Sequence, residues 1–196
     1  VKVYNGFNDT RLQSKPRCLA IGVFDGVHRG HQEILSRLLA DAGRTRSESM
    51  AVTFEPHPNK VLNPKVNQSI LISLRHRLRF FEKMEIRETL VIPFNKHFSK
   101  ITHQQFLHKL LLERLGMKAL SVGEDFCFGF QGRGDAYFLE QESLRLGFGL
   151  SLVKPLKYGR EVISSTRIRR LIERGFLKKA QCMLGRPVSV YGTVVH

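Results

Sequence analysis

Short, β-rich apolar runs alternate with longer amphipathic ones along most of this 196-residue chain, and that alternation limits what it can fold into. A run such as Leu90-Val91-Ile92, apolar at consecutive positions, suits a strand buried on both faces. Such strands belong to parallel sheets covered by helices on either side. Strands are predicted at 18–24, 50–54, 89–94, 119–123 and 150–155. Helices are predicted at about 30–44, 74–84, 102–115, 135–146, 165–174 and 176–184. The helix near Thr102 shows the reasoning. Thr102 can cap its free amides, Phe106, Leu110 and Leu111 share a face, and Gly116 can end it. The expected fold class is α/β, a Rossmann-like parallel sheet flanked by helices.

Two stretches break the rhythm. Residues 55–73, with three prolines and three asparagines, read as a long loop of the kind that often serves function. At Gly185-Arg186-Pro187 the texture changes, and 188–195 reads as one lone strand opening a second domain. The expected organisation is therefore a main domain over 1–184 and the start of another over 185–196.

Composition narrows the partners. With 42% hydrophobic and 25% charged residues the chain is ordinary globular material. No apolar run approaches the ~20 residues that span a bilayer, and no basic-then-apolar leader is present. Cys18, Cys127 and Cys182 are odd in number and widely spaced, which predicts free, mostly buried thiols in a reducing, cytoplasmic compartment. The net charge of +15 favours anionic partners: polyphosphate, nucleic acid or an acidic surface. The basic residues are spread along the chain rather than blocked into a tail, which weighs against nucleic acid.

The most informative segment is Ile21-Gly22-Val23-Phe24-Asp25-Gly26-Val27-His28-Arg29-Gly30-His31-Gln32. A strand runs into a glycine turn, and a helix opens near Gly30. Ligands in α/β sheets bind at the carboxyl ends of strands, where the next helix offers free amides. His28 and His31, three apart, can point the same way from the first helical turn. Three readings fit these residues: a nucleotide site, half of a metal site, or exposed helix positions. The segment is neither a P-loop nor a dinucleotide GxGxxG.

A second cluster is Ile163-Ser164-Ser165-Thr166-Arg167-Ile168-Arg169-Arg170. Ser164 or Ser165 is a natural N-cap, so an ordinary capped helix is one reading. Yet three arginines crowd a first turn where the helix dipole is already positive. Each should cost a few tenths to about 1 kcal/mol unless an anion shares the space. A triphosphate would resolve that conflict, with hydroxyls and amides as neutral donors and a guanidinium as a forked charge.

Thr53-Phe54-Glu55-Pro56-His57-Pro58 could be only a proline-stiffened strand exit. Phe126, Phe128 and Phe130 alternate after the fourth predicted strand and could be core. Aromatic rings at a strand's carboxyl end can also stack on a flat heterocycle.

Taken together, these blocks resemble a known family. Gly22-x-Phe24-Asp25-Gly26-Val27-His28-x-Gly30-His31 is similar to the signature of the HxGH nucleotidylyltransferases. TFxPHP at 53–58, VGxDFxFG at 122–129 and the ISSTxIR block at 163–169, which follow it in that order, resemble the adenylyltransferase module of bacterial riboflavin kinase/FAD synthetase. The resemblance implies FMN adenylyltransferase activity: AMP passes from MgATP to FMN, giving FAD and pyrophosphate. It implies that His28, His31 and Arg169 stabilise the reacting phosphates. It also implies ATP contacts by Gly22, Phe24, Asp25, Gly26, Gly30, Ser164, Ser165 and Thr166. For the flavin it points to Pro56, His57, Pro58, Asp125, Phe126 and Phe128. Mg²⁺ is implied with ATP, its protein ligands unassigned. Gly132 stands where the family pattern often has a basic residue, with Arg133 next to it, so that loop receives no phosphate role. The tail from Gly185 resembles the first strand of the riboflavin kinase module, a β-barrel needing many more residues, so kinase activity is not expected. The competing readings are another HxGH adenylyltransferase with a different acceptor (phosphopantetheine or nicotinamide mononucleotide), a basic nucleic-acid-binding module, and a flavin-storage protein.

Overall fold

The computed structural model describes residues 1–65 and 69–192. Among them, six strands form one parallel sheet. From edge to edge they are β1 (Lys2–Asn5), β4 (Glu88–Pro93), β3 (Glu48–Glu55), β2 (Arg17–Ile21), β5 (Met117–Gly123) and β6 (Gly149–Val153). From β2 the chain builds outward through β3 and β4, then crosses back to lay β5 and β6 on the other side of β2. The strand order thus reverses between β2 and β5, and a crevice opens there beyond the carboxyl ends.

Alternation along each strand assigns the two faces. On β2, Leu19 and Ile21 turn toward Phe106, Leu107 and Leu139. Cys18 and Ala20 turn the other way, toward Leu35 and Leu38 of α1 (Arg29–Thr45) and Phe81 of α3 (Leu74–Lys83). The first face is covered by α4 (His103–Gln105), the π-helical continuation Phe106–Arg114, and α5 (Ala136–Leu146). Small residues dominate the second face, where Ala51 and Ala119 join Cys18 and Ala20, and a short side chain lets a helix lie close. Beyond the sheet, α6 (Ser165–Glu173) and α7 (Leu177–Leu184) pack on each other through Ile168, Leu171, Ala180 and Met183.

The five predicted strands and six predicted helices are all present, with small shifts at their ends. The helix expected over 102–115 begins with Thr102 as its cap, in a reciprocal bond with Gln105, and then widens into π winding. Four strands or α-helices were not anticipated: β1, the short α2 (Pro58–Leu62) inside the predicted loop, and the paired two-residue strands β7 (Lys157–Tyr158) and β8 (Glu161–Val162). Of the predicted strand 188–195, residues 188–192 form no strand, and 193–195 lie outside the described residues. All three cysteines are free, but only Cys18 is buried; Cys127 and Cys182 are exposed, correcting the expectation of mostly buried thiols. Among the described residues no helix is long and apolar enough to cross a membrane.

Candidate functional site

β2 ends at Ile21, and residues 22–28 turn sharply to start α1. His28 is itself the N-cap of that helix, since its Nδ1 accepts a hydrogen bond from the His31 amide at 3.3 Å. A ring nitrogen that accepts carries no proton, so the proton of neutral His28 sits on Nε2, which is left to donate elsewhere. The His28 and His31 rings stack, with centroids 3.6 Å apart and planes 16° from parallel. Gly30 makes room for this pair, because a Cβ there would lie 3.3 Å from the His28 ring. Behind them the fully buried Phe24 meets His31 edge-on at 5.3 Å and Phe81 at 5.5 Å. Phe24 therefore supports a histidine with its ring and offers the crevice only backbone.

Electrostatics keep both imidazoles neutral. Burial, followed by the positive charge of Arg186, pushes the His28 pKa down to about 4. Burial, then His28 and Arg77, holds His31 well below the ordinary histidine value. Two stacked, desolvated imidazoles beside arginines cannot readily charge until an anion arrives. The Nδ1 of His31 is buried and has no hydrogen-bond partner among the described residues.

The turn is strained. Phe24 and Val27 adopt φ of 52° and 38°, positive values that side-chain-bearing residues rarely take. Each costs about 1–3 kcal/mol and persists only where the surroundings impose it. Gly26, at φ +82°, supplies the third left-handed position, and a Cβ there would strike Leu71 at 2.7 Å. Arg77, buried on α3, donates to the Val23 carbonyl at 2.8 Å and to Thr53 Oγ1 at 2.6 Å, tying the turn to the end of β3.

The serine–arginine cluster meets this turn directly. Ser164 caps α6, accepting from the Arg167 amide, which realises the expected N-cap. Ser165 Oγ donates to the Asp25 carbonyl at 2.8 Å. Arg169 Nη2 contacts Asp25 Oδ2 at 3.1 Å, and its buried Nε has no hydrogen-bond partner among the described residues. Asp25, only 2% exposed, also accepts from the amides of Leu71 and Ile72. Its carboxylate thus organises three segments, with both oxygens already engaged.

Both clusters line one cavity of about 390 Å³ over the carboxyl ends of β2 and β5. Gly22, His28, Gly30 and His31 stand on one wall, and Ser164, Ser165, Thr166 and Arg169 on another. Beside it lies a second cavity of about 500 Å³, walled by Phe54, Phe94, Phe98, Phe106, Phe128 and Phe130. Gly22, Val23, Asn59, Phe126 and Cys127 line both, so the two spaces meet. Of the residues expected on the flavin, Pro58, Phe126 and Phe128 border the aromatic cavity. His57 and Asp125 instead line the polar cavity, and Pro56 lines neither. The reason is local: Pro56 is exposed at the strand exit, while His57 turns inward to cap α2 by accepting from the Asn59 amide. Phe54, from the TFxPHP block itself, and Phe94, Phe98 and Phe106, from other segments, also form the wall; in the sequence the last three carry no signal that separates them from core.

Among the described residues no group of three or more His, Cys, Asp or Glu side chains could hold a metal ion alone. A magnesium ion carried on polyphosphate would need only one or two carboxylates from the protein. Asp125 is an acid on the cavity whose carboxylate makes no ion pair among the described residues.

Comparison with known proteins agrees with this geometry. A family model described as FAD synthetase matches residues 10–167. The whole chain aligns with bifunctional riboflavin kinase/FMN adenylyltransferases from Buchnera aphidicola (30% identical) and Escherichia coli (32%), and covers 63% of each. The corresponding protein of Haemophilus influenzae is 32% identical, with 64% of its length covered. The chain thus spans a little under two thirds of these relatives. A solved structure described as a macrolide-efflux protein from Streptococcus pneumoniae superposes with a TM-score of 0.84 at 25% identity, over 96% of this chain and 61% of that one. A pantoate-beta-alanine ligase from Francisella tularensis, at 8% identity and a TM-score of 0.51, covers 93% of this chain and 86% of its own, and shares the fold alone. With the signature blocks gathered at one crevice and the family model spanning most of the sequence, the chain belongs to the FAD synthetase family.

Proposed function

We propose that this chain is an FMN adenylyltransferase, moving AMP from ATP to FMN to release FAD and pyrophosphate. One observation carries the proposal: a polar cavity lined by both the histidine pair and the start of the serine–arginine helix adjoins an aromatic cavity. The first suits a triphosphate and the second a flat heterocycle.

An oxygen of the FMN phosphate attacks the α-phosphorus of ATP in line. The bond from that phosphorus to the bridging oxygen breaks, and the electron pair leaves on pyrophosphate. The acceptor is already anionic at neutral pH, so no side chain need act as nucleophile. The protein contributes alignment of two anions and stabilisation of developing charge. In this reading His28 donates from Nε2, and His31 donates from its own ring. Gly22 and Gly30 let backbone approach the nucleotide, whereas Gly26, expected as an ATP contact, does not line the cavity and serves the left-handed turn packed against Leu71. Ser164 and Thr166 serve phosphate with hydroxyls, and Ser165, whose hydroxyl is held by the Asp25 carbonyl, with a first-turn amide of α6. Arg169 keeps Asp25 on one edge and turns its remaining N–H groups to phosphate. Phe126 and Phe128, with Phe54 and Phe98, hold the isoalloxazine. Mg²⁺ would enter on the triphosphate and offset part of its charge, with Asp125 beside it. A cytoplasmic location and a second module beginning near residue 185 belong to the same reading.

The test is FAD formation from FMN and ATP. Phosphopantetheine and nicotinamide mononucleotide serve as competing acceptors, and AMP transfer to either in preference to FMN would refute the choice of flavin. Riboflavin in place of FMN is the control. The described residues hold no β-barrel, and no phosphorylation of riboflavin is expected.

A further inference from the structure

The strained turn at 23–27 has every one of its carbonyls held. Val23 O accepts from Arg77 and Thr53, Phe24 O from the Val27 amide, and Asp25 O from Ser165. The last two are held from furthest along the chain. Arg186, beyond the end of α7, donates Nη2 to Gly26 O at 2.6 Å and Nη1 to Val27 O at 3.2 Å. Gln32 supports Val27 O from α1 at 2.8 Å.

From the bonds of one side chain to two adjacent carbonyls of the left-handed segment, we infer that Arg186 is a positioning residue for adenylyl transfer, fixing the turn that presents His28 and His31. The inference rests on the function proposed above.

An arginine here could merely cap α7, because Nη1 also reaches Leu184 O at 3.3 Å. Two features go beyond a cap. The shortest bond goes to Gly26, 160 residues back in the chain, and the fork spans the two residues immediately before the histidine cap. The guanidinium also has no acidic partner among the described residues; it lies over the Phe80 ring, 4.0 Å from its centroid. Setting an uncompensated charge close to the His28 imidazole is a poor way to anchor a tail. It makes sense where the turn must hold its shape and a polyanion will balance the charge. Tyr191, further along, rests on Arg79 and His76 of α3 and does not touch the turn, so the segment has an anchor of its own.

The experiment compares Arg186→Ala, Arg186→Lys and Tyr191→Ala in the same chain. Arg186→Ala should lower kcat by about 10- to 100-fold, as a displaced catalytic group does, with FMN affinity within about twofold of native. Lysine, with no fork, should restore only part, and added free guanidinium should rescue the alanine variant but not the native chain. Tyr191→Ala should leave kcat within about twofold. Equal losses in Arg186→Ala and Tyr191→Ala, or kcat unchanged in the former, would overturn the inference. If the alanine variant does not fold, the lysine variant decides by the same comparison. If the native chain makes no FAD, the functional reading fails separately, and NMR still judges the clamp. The Gly26, Val27 and His28 resonances should move in Arg186→Ala, with His28 titrating nearer its ordinary value. Unchanged resonances would overturn it.

Discussion

The two ends of the sheet handle buried charge in opposite ways. At the amino end, Arg17 is fully buried and bonds Glu88 Oε2 at 2.7 Å. Tyr4 OH and Lys15 reach the other oxygen of Glu88, and further N–H groups of Arg17 go to the carbonyls of Gln13 and Leu115. Burial pushes the Glu88 carboxyl up, but the hydrogen bonds from Arg17, Lys15 and Tyr4 overcome this and hold it below the usual carboxylate value. At the carboxyl end, Arg77, Arg169 and Arg186 gather around two neutral histidines, with Asp25 and Glu55 the acids paired to them. At one end the buried charge is paired, with only Arg17 Nη2 left without a hydrogen-bond partner among the described residues, and at the other positive charge is left to be matched. Charge closed on itself fixes a fold, whereas charge left open marks where a ligand belongs.

Substitutions that strip one end should leave the other intact. The largest effect is expected for Glu88→Ala, which strands the Arg17 charge in the interior. It should lose about 3–5 kcal/mol of stability in urea melts while the folded fraction keeps its specific activity. His31→Ala should do the reverse, lowering kcat for FAD formation about 10²- to 10³-fold, as loss of one preorganised donor does, in a chain that still melts cooperatively.

A pH series sharpens the contrast. The folded His28 value of about 4 lies below the ordinary 6.5, so the unfolded chain binds more protons between them. Its contribution is present in full above pH 6.5 and lost as pH falls toward 4, up to about 3 kcal/mol. His31 acts in the same direction. Saturating MgATP should shift this acid limb downward, since a triphosphate favours the charged imidazoles; equilibrium melts at pH 7 and 4.5 with and without nucleotide measure it. The smallest effect is expected for Phe130→Leu, an exposed wall of the aromatic cavity alone. FMN affinity should weaken about three- to tenfold, with ATP affinity and stability unchanged, by fluorescence titration.

Much of this was legible in the sequence because the signals are local. Continuous apolar runs mark β3, β4 and β5, and the pairs Thr102/Gly116 and Ser164/Gly175 bracket helices where caps and terminating glycines should be. β1 was hidden because Lys2-Val3-Tyr4-Asn5 is short and mixed, becoming a strand only by pairing with β4. The histidine and serine–arginine blocks stood out as compact clusters of residue types that conflict with a bland helix start. Arg77 and Arg186 did not, since their bonds to the turn span 54 and 160 positions and leave no spacing to read. Phe126 and Phe128 were legible from their block, but part of the aromatic wall was missed for a related reason. Phe94, Phe98 and Phe106 come from separate strand ends and helix starts, where a phenylalanine looks like core until the sheet brings them together.

Convergence of both clusters on one triphosphate is the claim on which everything else depends, and ATP titrated into a chain labelled at histidine and arginine side chains tests it most directly. The resonances of His28, His31 and Arg169 should move together on a single 1:1 binding curve. Histidine signals indifferent to ATP, or saturating at a different concentration from Arg169, would contradict a shared site.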